Sequence, residues 1–171
     1  MSHGSAGPIV VREAFVSEHE EAGRVTAEAY REFVGPNDHA WHEYLGAIAD
    51  VAGRADRTTV FVALDGERIV GSATLELVSR VEPDDDPDLH PEEAHIRMLG
   101  VHPDARRRGV ARALMHACFE RARAEGKAFM TLHTTERMRD AQAMYESMGF
   151  DRLDDRVFPD GFVLLTYRRP L

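Results

Sequence analysis

At 171 residues, with 43 % hydrophobic and 30 % charged residues, the chain has the composition of one soluble globular domain able to bury a core, and not of a disordered one. Its 21 Lys and Arg against 30 Asp and Glu leave a formal charge of −9, which argues against nucleic acid as a partner. No apolar run approaches the roughly 20 residues that cross a bilayer, so no membrane is expected, and a lone cysteine, Cys118, cannot form an internal disulfide, which makes the cytoplasm the expected compartment.

Met1 to Pro8 has neither the basic start nor the apolar centre of a secretory signal and reads as a flexible leader, with one domain over residues 9–171. Ile9 to Arg12 can start a strand. Ser17 and Glu20 have capping-box spacing ahead of a helix whose apolar face is Ala22, Val25, Ala29, Tyr30 and Phe33, stopped by Gly35-Pro36. A shorter helical piece is predicted around Trp41 to Val51. Thr59 to Leu64 and Arg68 to Val78 read as strands joined at Asp65-Gly66, a strong hairpin signal. The acidic, proline-punctuated stretch Val81 to Pro91 reads as a loop.

A strand follows near His95 to Val101, with Ile96, Met98, Leu99 and Val101 apolar, and His102-Pro103 ends it because proline cannot donate to a ladder. Asp104 to Arg112, reading DARRRGVAR, is then a turn crowded with arginine. It feeds a helix with Val110, Ala113, Leu114, Ala117 and Cys118 on one stripe, which runs to Glu125 and is closed by Gly126. The first amides of a helix lack partners, Gly109 carries no Cβ, and the helix dipole favours an anion, so this turn is suited to phosphate. Cys118 lies on the apolar stripe and reads as core. Ala128 to His133 is predicted as a strand and Arg139 to Met148 as a helix ending at Gly149. Strands near Phe150 to Asp154 and Phe162 to Arg168 close the chain. The order predicts an α/β domain in which helices flank a mixed, mostly antiparallel sheet.

Two separated motifs resemble the GCN5-related N-acetyltransferase (GNAT) family. Arg106-Arg107-Arg108-Gly109-Val110-Ala111 is similar to the family's Gln/Arg-x-x-Gly-x-Gly/Ala turn between a strand and a helix, and lacks the Gly-Lys-Ser/Thr ending of a nucleotide P-loop. Ala141, Met144-Tyr145 and Gly149-Phe150 resemble the second motif. The resemblance implies a GNAT-like sheet in a single domain, acetyl-CoA as co-substrate, and transfer of the acetyl group to an amine. It implies that the CoA pyrophosphate rests on backbone amides of Arg108, Gly109, Val110, Ala111 and Arg112, flanked by the Arg106 side chain. It also implies that Leu99 and Val101 face the pantetheine arm, which inserts where the motif strand and the next parallel strand splay apart. The family often has an asparagine where this chain has Met138, so its contact to the cofactor arm is either absent or supplied elsewhere, by Thr134 or Thr135.

The reaction needs a neutral amine, a proton acceptor and an acid for the departing thiolate. Tyr145 is the candidate acid, with a plain core residue as the alternative. His95 is the candidate base, at the position of the glutamate in the resembling histone acetyltransferases; Glu92, Glu93 and ordered water are the alternatives. A strand amide near Leu99 or Gly100 would hold the oxyanion. Phe33, Trp41, Asp155 and Phe158 are the candidate acceptor residues, since carboxylates and aromatics suit a cationic amine. The expected acceptor is a small-molecule primary amine, with a protein amine or a non-catalytic acyl-CoA-binding module as alternatives, and the look-alikes make a homodimer an expectation too. His39 with His42, and His90 with His95, lack the spacing of further ligands, so no metal is expected.

Overall fold

The computed structural model describes residues 7–81 and 88–171. Most of the predicted leader and the centre of the predicted acidic loop lie outside the described residues. In chain order come β1 (Ile9–Glu13), α1 (His19–Tyr30), α2 (His39–Ala49), β2 (Thr59–Asp65), β3 (Arg68–Glu76), β4 (Glu93–Val101), α3 (Val110–Ala124), β5 (Phe129–Thr135), α4 (Arg139–Ser147), β6 (Asp151–Arg152), β7 (Arg156–Val157) and β8 (Val163–Pro170). Short 3-10 turns precede α1, follow it, and precede α3. The predicted strand over Phe150 to Asp154 shrinks to the two residues of β6, and β7 is an addition.

The strands form one eight-stranded sheet in the order β1-β2-β3-β4-β5-β8-β6, with β7 also on β8. Neighbours are antiparallel except β4 and β5, because α3 carries the chain back across the sheet between those two. Alternation along β2 sorts the two faces. Phe61 and Ala63 join the core under α3, built on Leu114, Met115, Cys118 and Phe119, whereas Val60, Val62 and Leu64 pack with Ala22 and Val25 of α1. With both faces covered, β2 reads as a continuous apolar run rather than an alternating one. Burial pushes the Cys118 thiol up to about 12, in keeping with its place in that core.

Two details of the first half differ from the sequence expectation. The Ser17–Glu20 box does not form: Val16–Glu18 is a 3-10 turn, and Glu18 accepts the Phe15 amide at 2.9 Å while Arg12 grips the same carboxylate at 2.7 and 2.8 Å. A carboxylate held by a two-pronged guanidinium outcompetes a serine hydroxyl for the helix entry. At the other end of this layer, buried Arg54 closes the C-terminus of α2. Its guanidinium donates to the carbonyls of Ala47, Ile48 and Asp50 at 2.9–3.1 Å and to Thr74 Oγ1 at 3.0 Å.

The feature that positions the site is an interruption in β4. Ser72 pairs with Gly100 and Thr74 with Arg97, so Met98 and Leu99 together oppose Ala73. Met98 takes up the extra residue with φ 53, a left-handed value uncommon for a side chain of its size. The β4–β5 ladder ends at Ile96 and Leu132, although β4 continues to Val101 and β5 to Thr135. From that point the two parallel strands part.

Candidate active site

The parted strands open a cleft of about 320 Å³. Leu99, Gly100 and Val101 of β4 form one wall, His133 and Thr134 of β5 the other, and Tyr30 and Phe33 close it from the end of α1. Tyr145 of α4 lines the interior, and Arg106 stands at the end nearest α3. α1 runs close by: the absence of a side chain at Gly100 lets the β4 backbone pass within contact of Ala29 and Thr26 of that helix.

The turn into α3 has the geometry that its sequence suggests. Arg107 and Gly109 have φ of 62 and 75, and Gly109 occupies the N-cap with no side-chain cap. The first bond of the helix runs from the Ala113 amide to the Gly109 carbonyl at 3.0 Å. The amides of Val110, Ala111 and Arg112 precede it, and helix geometry gives them no partner. The arginine side chains divide the work differently. Arg108 donates to Asp65 at 2.7 Å and to the Gly7 carbonyl at 3.3 Å, holding the Asp65 carboxyl below its usual range. Arg112 reaches Ser147 Oγ at 2.6 Å, and Arg106 pairs with Glu32 at the mouth of the cleft. Arg108 therefore offers the turn its backbone and spends its charge on the β2–β3 hairpin.

Tyr145 is only 6 % exposed and packs against Phe150 and Tyr167, each ring 5.9 Å away. Burial raises its phenol well above the usual range, and among the described residues its hydroxyl makes no hydrogen bond. His95 is buried too, one ring behind the wall. Its neighbour His133, with ring centroids 4.9 Å apart, is the histidine that lines the cleft. Burial is the main cause holding His95 well below the ordinary imidazole value, with His133, Arg80 and Arg97 acting the same way. Its Nδ1 lies 2.7 Å from Thr131 Oγ1, which donates to Glu93 Oε1 at 2.8 Å, and Arg80 donates to that same oxygen at 2.9 Å.

Of the two threonines on β5, Thr134 lines the cleft and its hydroxyl faces the Met138 sulfur at 3.5 Å. The buried Thr135 Oγ1 makes no hydrogen bond among the described residues. Phe33 lines the cleft and its carbonyl accepts from Arg137 at 2.9 Å. Trp41 lies edge-on to Tyr44 and to Phe162, at 5.6 and 6.4 Å, and Phe158 meets Phe162 at 5.7 Å. Phe162 thus brings Trp41 and Phe158 into one aromatic group between α2 and the last hairpin. Asp155 is not part of it, because Arg152 holds its carboxylate at 2.8 and 3.1 Å. Sequence reasoning missed His133, Thr131 and Phe162. The signal for the first two was available: polar Thr131 and His133 alternate with apolar Met130 and Leu132 along a strand, and so share one face.

A model of the acetyltransferase (GNAT) family matches residues 20–150, which hold the α3 turn, the parted strands and Tyr145. The chain belongs to the GNAT family. It is 33 % identical over 126 residues to N-acetyltransferase 8 of Homo sapiens, covering 69 % of this chain and 53 % of that protein. It is 31 % identical over 131 residues to mycothiol acetyltransferase of Rhodococcus erythropolis, covering 70 % and 40 %. The chain spans about half the length of these relatives or less. Among solved structures, a GCN5-related N-acetyltransferase from Rhodopseudomonas palustris superposes with a TM-score of 0.73 at 18 % identity, over 99 % and 100 % of the two chains. A Salmonella typhimurium protein solved with its cofactor acetyl-CoA gives 0.69 at 17 % identity, over 96 % and 95 %. These likenesses share the GNAT fold: a mixed, mostly antiparallel sheet with helices on both faces. No helix among the described residues is long and apolar enough to cross a membrane.

Proposed function

We propose that this GNAT protein is an N-acetyltransferase that moves the acetyl group of acetyl-CoA to a primary amine of a small molecule, by direct attack in a ternary complex. The observation that carries this reading is the continuity of the cleft. It runs from Arg106, in the turn that leads to the uncapped amides of α3, past the open edges of Leu99 and Val101, to Tyr145. The amides of Gly109 to Arg112 suit a pyrophosphate, with Arg106 beside them, and the strand edges suit the amides of a pantetheine arm. Thr134 and Thr135 offer hydroxyls near the position where the family's asparagine is replaced.

In this reading the amine nitrogen bonds to the acetyl carbon, and the β4 amides near Leu99 and Gly100 hold the oxyanion. The proton on nitrogen passes to the imidazole pair His95 and His133. As the carbon–sulfur bond breaks, Tyr145 gives its hydroxyl proton to the thiolate and recovers one through solvent, so the products are the amide and free CoA thiol. Phe33, Trp41 and Phe158 face the acceptor side. A cytoplasmic location, no requirement for a metal, and a homodimer belong to the same proposal. The test is thiol release from acetyl-CoA across amines, amino acids, polyamines and peptides. Transfer to at least one small amine is expected; tight acetyl-CoA binding with no acceptor above background would make the protein a binding module instead.

A further inference from the structure

The polar side chains behind the cleft wall form a directed chain. His95 and Thr131 are cross-strand partners on β4 and β5, with Glu93 two residues earlier on β4, so the three side chains share one face of the sheet. All three are buried, His95 to 2 % and Thr131 to 8 % exposure. A carboxylate has no hydrogen to give, so the 2.8 Å contact between Thr131 Oγ1 and Glu93 Oε1 uses the single hydrogen of the threonine hydroxyl. The 2.7 Å contact between that same oxygen and His95 Nδ1 must then be donated by the imidazole. This fixes the proton of neutral His95 on Nδ1 and leaves the lone pair on Nε2, which makes no hydrogen bond among the described residues.

We propose that Glu93 and Thr131 are positioning residues that set the His95 tautomer, so that Nε2 is the atom that accepts the amine proton beside the wall formed by His133. The proposal rests on the acetyltransferase reading above. When the proton arrives at Nε2, His95 becomes an imidazolium whose Nδ1–H is already directed at Thr131, and the charge is met by Glu93 through that hydroxyl. No bond other than N–H is made or broken in the relay, and the proton returns to solvent after the amide forms. The groups facing His95 are Glu93 and Arg97 on its own strand, Arg80 from the segment after β3, and Thr131 and His133 from β5. Glu76, buried in β3, pairs with Arg97 at 3.5 Å. The two arginines weaken His95 as a base. Glu93 is the acid that reaches it through a hydrogen bond, which is why its link to Thr131 matters.

Two measurements decide the matter. Long-range proton–nitrogen spectra of histidine-labelled protein read the tautomer without turnover: an Nδ1–H form of His95 is expected, and an Nε2–H form overturns the proposal. Thr131→Val preserves shape and removes the hydroxyl; it should lower kcat about tenfold or more, move the acidic limb of the kcat/KM profile to lower pH, and leave the acetyl-CoA Kd unchanged. Thr131→Ser should restore both. A folded Thr131→Val variant with the wild-type pH profile overturns the relay. If the wild-type protein transfers no acetyl group, the proposed function fails, and the tautomer still decides the relay by itself.

Discussion

At the scale of a residue, Tyr145 shows how packing shapes chemistry. A phenol ordinarily ionises at about pH 10; enclosure against Phe150 and Tyr167 raises Tyr145 further, so in the proposed reaction it is the protonated partner. The same burial strengthens the basicity of a thiolate released next to it, so the proton still has a destination. Phenylalanine would fill the same space without the hydrogen. Tyr145→Phe is expected to lower kcat by about 10²-fold or more, with the Kd for acetyl-CoA and the denaturation midpoint nearly unchanged. Equal turnover in the variant would return Tyr145 to the core. Arg54 is a residue of the opposite kind, wholly structural: its donors close α2 from inside the protein. Arg54→Met removes the donor to the buried Ile48 carbonyl, at a cost of about 1–3 kcal/mol, and should lower the urea midpoint while the cleft keeps its affinity for acetyl-CoA in the folded protein.

At the scale of elements, the site is a strand that loses its neighbour and a helix that begins without a cap. Gly109 makes the second possible, since its φ of 75 is strained for a residue with a Cβ. Gly109→Ala meets no neighbour, so its cost is backbone strain of about 1–2 kcal/mol, relieved by tilting the first amides of α3. Acetyl-CoA binding, followed by calorimetry, should weaken at least tenfold while binding of acetyl-pantetheine, which lacks the pyrophosphate, is unaffected; equal loss for both would mean the turn does not hold the pyrophosphate. This turn was readable in advance because glycine, arginine and the stripe of α3 are local signals. The splay was not. It depends on the pairing of Ala73 with two residues of β4, a register choice that no periodicity encodes, and on Met98 accepting a left-handed φ. His95 was located on the right strand, but only the fold reveals that its ring lies behind His133. Asp155 lies in the segment between β6 and β7, where Arg152, three residues earlier, binds its carboxylate, and the sequence reads β6 and β7 as one strand and a turn.

At the scale of the molecule, the groups that folding takes out of water set the response to acid. An unfolded His95 takes up a proton near its ordinary value of 6.5, whereas the folded ring, desolvated and beside two arginines, stays neutral until well below that. Between those values the unfolded chain binds more protons, so stability falls as pH drops below about 6.5, with a limit of about 1.4 kcal/mol per pH unit for one group. Glu18 has its window further down. Arg12 holds its carboxyl at about 2 against 4.5, so its contribution is complete above 4.5 and is lost as pH falls toward 2. Buried Glu76 has the opposite sign: desolvation raises its carboxyl above 4.5, so protonating it favours the fold. The wild-type decline below about 6.5 is thus the part that His95 contributes. His95→Gln keeps a polar group near Thr131 and removes the titration, so its urea midpoint should decline less there than that of the wild type. Parallel declines in the two proteins would show that His95 is not the buried group that the fold keeps neutral.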